Sequence, residues 1–509
     1  MSVPISEGPS WVRRIALAAG PISALLVWTL MPVGTDPGTL AWTGRLTLGV
    51  AAWMAVWWLS EAVPLEATAL LPLLTFPALN IAPIKAAAAP YADPTIFFFM
   101  GGMMMGAAME RWGLPRRFAL HVLSRVGVHP GALIFGAMAA TAVISMWVNN
   151  TSTCVMMLPI GISIARIVER GTGGGDAKGV ENFATAMVLG IAWAATIGGV
   201  GTLFGTAPNI ILQGSVQNLM GERLTFGEYA LVGMPIVALY LPMVWTVIMW
   251  FYPPRVGGTP ETREAIRREL AALGPMTRPE RLVLVVLAGA MILWTLQDPI
   301  NRTLKGWTGW LTADGQGVPR AFSEAGIAIL AAVALFLLPA RTSDGRRTSV
   351  LDWPTANSIQ WGVLVLFGGG LALAEAMTAT DVNTYLGGFF DGLRGMPTVV
   401  IVLGVAAFVT FATEVASNTA IATTFLPVAY AAAQKLGIHP YFLMLPVALS
   451  ASYAFMMPMG TPPNAMAIAT GRVRIGQMAR PGFVLNLMAI GLITVYVTYI
   501  APLVLAMKS

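Results

Sequence analysis

Asn149, Asn150 and Thr151 stand in a row within the stretch SMWVNNTST at 145–153, between the apolar runs ALIFGAMAATAVI and CVMMLPIGISIA. Amides and hydroxyls in such surroundings need partners or a ligand, because burying them unpaired is costly. The pattern recurs 268 residues later as Ser417, Asn418 and Thr419, and at the same offset Gly136, Ala139, Leu158 and Pro159 meet Gly404, Ala407, Leu426 and Pro427. Downstream, GTAPN at 205–209 is matched by GTPPN at 460–464, an offset of 255. Amide and hydroxyl oxygens, with carbonyls freed where a helix is broken, suit a hard cation, and the free N–H groups of half-helix starts favour an anion. The constellation offers both kinds of ligand without a fixed charge. Read singly, each Asn or Thr could simply cap a short helix; four motifs in two-fold order argue for a site.

The surrounding chain must hold these residues inside a bilayer. Of 509 residues, 56% are hydrophobic and 11% charged, and the mean hydropathy is +0.71; a soluble chain carries about 25% charged residues. This is the composition of a polytopic all-α membrane protein. The net charge of +6 reflects orientation rather than an acidic partner. With one cysteine, Cys154, no internal disulfide can form. Residues 1–14 show no pattern of a cleavable leader.

About 20 apolar residues cross a bilayer as a helix. Eleven spans are expected, at 15–33, 45–60, 64–82, 93–111, 183–213, 226–252, 282–298, 321–340, 358–378, 441–470 and 481–506. The apolar stretches 131–168 and 396–433 are too long for one span and are interrupted by the polar tips, so each reads as a re-entrant helical hairpin. Each Gly-Thr-X-Pro-Asn motif lies within an apolar helix, which proline and glycine should break; lipid tolerates such a break only where it faces protein or a cavity. Paired breaks at equivalent places in two halves signal a secondary transporter built of inverted repeats. With the N-terminus cytoplasmic, Arg13, Arg14, Arg111, Arg116, Arg117, Arg125 and the Arg-rich segments near 255–281, 341–347 and 472–480 lie inside, and a thinner set, Arg45, Lys85, Arg223, Arg302, Lys305 and Arg320, lies outside. The first hairpin then starts inside and the second outside. TPETREAIRREL at 259–270 reads as a solvated cytoplasmic connector.

The stretches WWLSEAVPLEATALLPL, SMWVNNTST, GTLFGTAPN, TEVASNTA and FMMPMGTPPN together resemble the divalent anion:sodium symporter family of sodium-coupled dicarboxylate, citrate and sulfate transporters, over nearly the whole chain. The resemblance implies an elevator-type transporter, usually a homodimer. Its scaffold would comprise 1–127 and 280–395, its transport domain 128–252 and 396–509, with 253–279 as cytoplasmic linker. Carried over by position, one Na+ would be held by Ser145, Asn149, Asn150 and Gly205, a second by Thr413, Ala416, Asn418 and Gly460. Substrate would touch Asn149, Asn150, Thr151, Thr206, Ser417, Asn418, Thr419, Thr461 and Pro462. The family pattern at the first tip is Ser-Asn-Thr; here Asn149 replaces the serine, which bears on substrate size and sodium affinity. The resemblance thus implies Na+-coupled symport of divalent anions, C4 dicarboxylates first, with two or more Na+ as coupling ions. A dicarboxylate exchanger and a citrate or sulfate symporter are the alternatives. The expected setting is the bacterial inner membrane, and nucleic acid is not an expected partner.

Glu414, beside the second tip, is read as bonding the hairpin backbone or a helix end rather than as a proton carrier. Glu61 and Glu66 flank a boundary turn, and His121, His129 and His439 sit near helix ends. Three scattered histidines and one cysteine provide no constellation for an intramembrane enzyme, and paired hairpins favour an alternating site over a continuous pore.

Overall fold

A computed structural model describes residues 10–31, 33–34, 40–171, 177–256, 260–307, 323–342 and 345–505; Arg320 lies outside them. Among the described residues the regular structure is helical apart from a two-stranded antiparallel ribbon, Pro339–Arg341 with Arg347–Ser349, and an isolated bridge between Val33 and Leu40. Among the described residues seven helices are long and apolar enough to cross a membrane.

Both long apolar stretches fold as helix–turn–helix. The first runs Pro130–Ser145, turns through 146–149, and returns as Asn150–Gly171; the second runs Thr398–Ala412, turns through 413–417, and returns as Asn418–Leu436. In each, a proline near the start fits the first helical turn or its boundary, and the polar triplet begins the return arm.

The two motif-bearing spans break where glycine and proline predict. Ala177–Gly199 unwinds over 200–206 before Ala207–Ser215; Tyr441–Ala451 unwinds over 452–461 before Pro462–Ala469. Thr206 (φ −149°, ψ 148°) and Thr461 (φ −145°, ψ 147°) hold the same extended conformation at the restart. The restarted helices pack crosswise. Ala207–Ser215 lies on the second hairpin's return arm and Pro462–Ala469 on the first's, so each half of the chain completes the other. The Arg472–Glu169 ion pair ties the same two halves at their ends.

One expectation changes and another is extended. The span at 64–82 is divided into Leu65–Thr68 and Leu71–Ala78, the second carrying Pro72 in its first turn and Pro77 near its end; each proline removes a backbone donor. The charged stretch is helical over Pro260–Ala272, with Arg263, Glu264, Arg267, Arg268 and Glu269 exposed as a solvated connector requires, but the turn that follows it is docked. Arg117, 6% exposed, reaches Glu280 at 2.7 Å and the carbonyls of Gly274 and Leu273 at 2.8 and 3.1 Å. A guanidinium with five donors can satisfy a carboxylate and several carbonyls together.

Candidate binding site at the hairpin tips and helix breaks

The first tip meets the first break through a crowd of oxygens. Ser145 Oγ lies 2.7 Å from Asn150 Oδ1 and 2.6 Å from the Ala195 carbonyl. One hydroxyl hydrogen serves only one of these acceptors, so at least one pair of oxygens is left facing each other without a proton. The Gly199 backbone closes the same cluster: a Cβ there would stand 2.4 Å from Asn150 Oδ1 and 3.1 Å from the Gly205 carbonyl.

The second tip repeats the arrangement. Thr413 Oγ1 lies 2.6 Å from Asn418 Oδ1 and 2.8 Å from the Ala451 carbonyl. Ser145 and Thr413 are both fully buried. A Cβ on Gly460 would stand 3.1 Å from Glu414 Oε2 and 3.4 Å from the Met457 carbonyl. Excess oxygens over hydrogens, supplied by hydroxyl, amide and unwound backbone, are what a hard cation requires, whereas no group of three or more His, Cys, Asp or Glu able to hold a metal occurs among the described residues.

Each break is braced by the asparagine that ends its motif. Asn209 Nδ2 donates to the Gly199 and Thr202 carbonyls at 2.9 and 2.7 Å; Asn464 Nδ2 donates to those of Ala454 and Met457, both at 3.0 Å. These asparagines, Gly199, and the carbonyls of Ala195 and Ala451 were not among the expected site residues. The asparagines were visible in the repeat, but the carbonyls belong to alanines and leave no signal in side-chain chemistry.

The two hairpin turns are fixed by different means. Glu414, 4% exposed, accepts from the amides of Phe455, Met456 and Met457 at 2.7, 2.9 and 2.8 Å and from Asn486 Nδ2 at 2.7 Å. It therefore has the backbone-bonding role expected of it. At the first tip the Thr202 hydroxyl donates to the Met146 carbonyl instead.

Asn149 occupies the position equivalent to Ser417, immediately before the return arm. Its Oδ1 accepts from the Ser152 amide at 2.8 Å, a helix cap, so its NH2 group is the part left to face a ligand. Ser417 makes no such cap bond. Asn149, Ser152, Gly205 and Thr206 line a cavity of about 80 Å³ whose opposite wall includes Glu110 and Gln360. Ser417, Asn418, Thr419, Thr461 and Pro462 do not line this cavity. Thr151, Ser417, Asn418, Thr419 and Ala416 are half-buried and Pro462 is exposed. The Thr461 hydroxyl is buried without a hydrogen-bond partner, and neither Thr206 nor Thr461 spends its side chain on capping.

Comparison with known proteins agrees with this architecture. The sequence model of a family described as the sodium:sulfate symporter transmembrane region matches residues 10–506. A protein named sodium-dependent dicarboxylate transporter SdcS from Staphylococcus saprophyticus is 37% identical over 495 residues, 97% of this chain and 92% of that one. Its namesake from Staphylococcus aureus MRSA252 is 35% identical over 507 residues, 99% and 93% of the two chains. In fold the chain is similar to the YdaH transporter of Alcanivorax borkumensis (TM-score 0.50, 16% identity, 96% of both chains) and to MtrF of Neisseria gonorrhoeae (TM-score 0.51, 13% identity, 97% and 96%).

Proposed function

The chain belongs to the family of the sodium:sulfate symporter transmembrane region, and from that premise we propose that it is a secondary transporter carrying a C4 dicarboxylate such as succinate, malate or fumarate together with two or more Na+. The twin oxygen clusters at Ser145–Asn150 and Thr413–Asn418 carry the reading. Each would hold one Na+, with Gly205 and Gly460 contributing backbone beside it. The anion would lie against Asn149, Asn150, Thr151 and Thr206 from one half and Ser417, Asn418, Thr419, Thr461 and Pro462 from the other, near the N-termini of the four half-helices. The dicarboxylate and the sodium dependence are supported by the names of the Staphylococcus relatives.

Energetics favour coupling. Moving a dianion alone against an inside-negative potential costs about 4.6 kcal/mol per 100 mV, twice the unit-charge value. Two Na+ cancel that charge and a third reverses it. In this reading the tips and breaks, 128–252 and 396–509, move as an elevator past a scaffold of 1–127 and 280–395, the two re-entrant hairpins being inverted copies. The protein works as a homodimer in a bacterial plasma membrane, N-terminus in the cytoplasm.

Uptake of labelled succinate, citrate and sulfate into proteoliposomes tests the proposal. An inward Na+ gradient should drive concentrative succinate uptake, and K+ or choline in its place should abolish it. Undiminished uptake in choline would replace the symporter with an exchanger.

A further inference from the structure

The cavity at the first tip has one charged lining residue, Glu110, at the end of the helix Pro94–Arg111. Its carboxyl interacts with the Ser152 side chain, which lines the same cavity with Asn149, Gly205 and Thr206. The adjacent cation does not offset it, because Arg111 is committed to Asp352 at 2.6 Å. Contact between the walls is close here: a Cβ on Gly106, one turn before Glu110, would stand 2.8 Å from the Trp147 carbonyl. The side chain therefore hangs over the edge of the first tip, at the end of the molecule where Trp112 donates to the Val350 carbonyl at 2.7 Å and Arg116 pairs with Glu269.

We propose that Glu110 is a charge filter on the anion's route, weakening dianion binding from the face on which Arg111, Arg116 and Arg117 lie and so favouring release there. The inference rests on the transport reading above. A carboxylate sharing a cavity of about 80 Å³ with a dianion repels it at short range, in a setting less screened than bulk water. Once the tip has moved away from this wall to open to the other face, the anion it holds no longer shares a cavity with Glu110, so the repulsion acts on one face. The binding groups at the tip stay neutral and the discrimination falls on a residue of the static wall. Affinity on the two faces is thereby set separately.

The test measures half-saturating succinate on each face, using right-side-out and inside-out membrane vesicles of wild type, Glu110→Gln, Glu110→Asp and Ser152→Ala. Glu110→Gln keeps the size and a polar group facing Ser152 and removes the charge. It should tighten succinate binding about tenfold on the face carrying Arg111, Arg116 and Arg117 and leave the other face unchanged. Glu110→Asp and Ser152→Ala should keep the wild-type asymmetry. Equal changes on both faces, no change in Glu110→Gln, or the same tightening in Ser152→Ala would overturn the filter and leave Glu110 a tether for the tip. Wild-type vesicles without Na+-driven succinate uptake would instead overturn the transport reading and the filter with it.

Discussion

At the scale of single residues, the amides of the two tips carry the sharpest expectations. Asn150 and Asn418 each place Oδ1 within 2.7 Å of a buried hydroxyl, so each amide can hold a cation with its oxygen and an anion with its nitrogen. Asn150→Ala and Asn418→Ala should each abolish transport while size-exclusion profiles stay those of the wild type. The loss should exceed the roughly 1 kcal/mol of one hydrogen bond, since ion and substrate are lost together. Near-normal uptake in either variant would return the tips to a capping role. Asn149 differs because its oxygen already caps Ser152. Serine can also cap, so Asn149→Ser should fold, keep Na+-coupled succinate transport and enlarge the space before the return arm. Citrate, with a third carboxyl and no nearby Arg or Lys lining the cavity, should be disfavoured by the wild type. A clash or an unpaired carboxylate costs about 1–3 kcal/mol, roughly 10- to 200-fold, and the variant should recover part of it. A succinate-to-citrate ratio unchanged between the two proteins in competition assays would remove Asn149 from the selectivity apparatus.

The broken helices act at the scale of elements. An unwound stretch inside a bilayer leaves carbonyls and amides to be satisfied, and this chain does so with one asparagine per break and with Glu414. Glycine permits the close approach. Gly199→Ala would drive a Cβ to 2.4 Å from Asn150 Oδ1, a position no cation cluster could share. Na+-dependent uptake should be lost and the Na+-induced rise in melting temperature should shrink. Gly491, in the helix Ile475–Val495 with nothing within 4 Å of a Cβ, is the control. Its alanine variant should transport normally and be no less stable, as expected where a helical glycine is replaced without a clash. A Gly199→Ala protein with intact Na+ dependence would move the first cation elsewhere. These elements also show what the sequence made legible. The tips and breaks stand out because polar residues and Gly-Pro pairs interrupt apolar runs, and because the interruption occurs twice. The opposite wall does not stand out. Glu110, Ser358 and Gln360 reach the cavity from segments about 40 and about 210 residues away in sequence from the first tip, with no repeat or spacing to mark them, and only tertiary packing brings them there. The docked turn after the linker's charge run was hidden for a related reason. The run itself is exposed at its charges from Arg263 to Glu269; what its sequence does not reveal is that the turn after it is held by the buried Arg117.

At the scale of the molecule, the proposed elevator makes the tips part of a body that must change its contacts with the rest if the site is to open to both faces. The contacts along that boundary differ in kind. Phe204 and Phe226 pack against Phe98 and Trp294, with ring centroids 4.5–5.8 Å apart, a surface without directional bonds that can slide. Directional contacts also cross it: at the rim Lys435 pairs with Asp391 at 3.5 Å and the Lys435 carbonyl accepts from Arg394 at 3.2 Å, and deeper in lies Glu324. Set at the start of the helix Glu324–Leu337 and 7% exposed, it accepts from the Phe226 amide at 2.6 Å and from Gln213 Nε2 at 3.0 Å. Both donors lie in the segment following the first break. Sliding requires these bonds to part, and a buried carboxylate left without them is costly, so they hold the arrangement seen here. Glu324→Gln sets an amide against the Gln213 amide and should weaken that hold. Spin labels at the exposed positions 389 and 487 (Phe389 is 69% and Leu487 49% exposed) report the distance across the boundary, and the buried native Cys154 should take up little label. The wild type should show two distance populations whose balance responds to Na+ and succinate. Glu324→Gln should deplete the population that matches the present arrangement, while the dissociation constants for Na+ and succinate, measured by calorimetry, change by no more than the small conformational term. A single distance that neither ligand nor mutation moves would mean that the halves do not slide, and alternating access would then have to arise within the tips themselves.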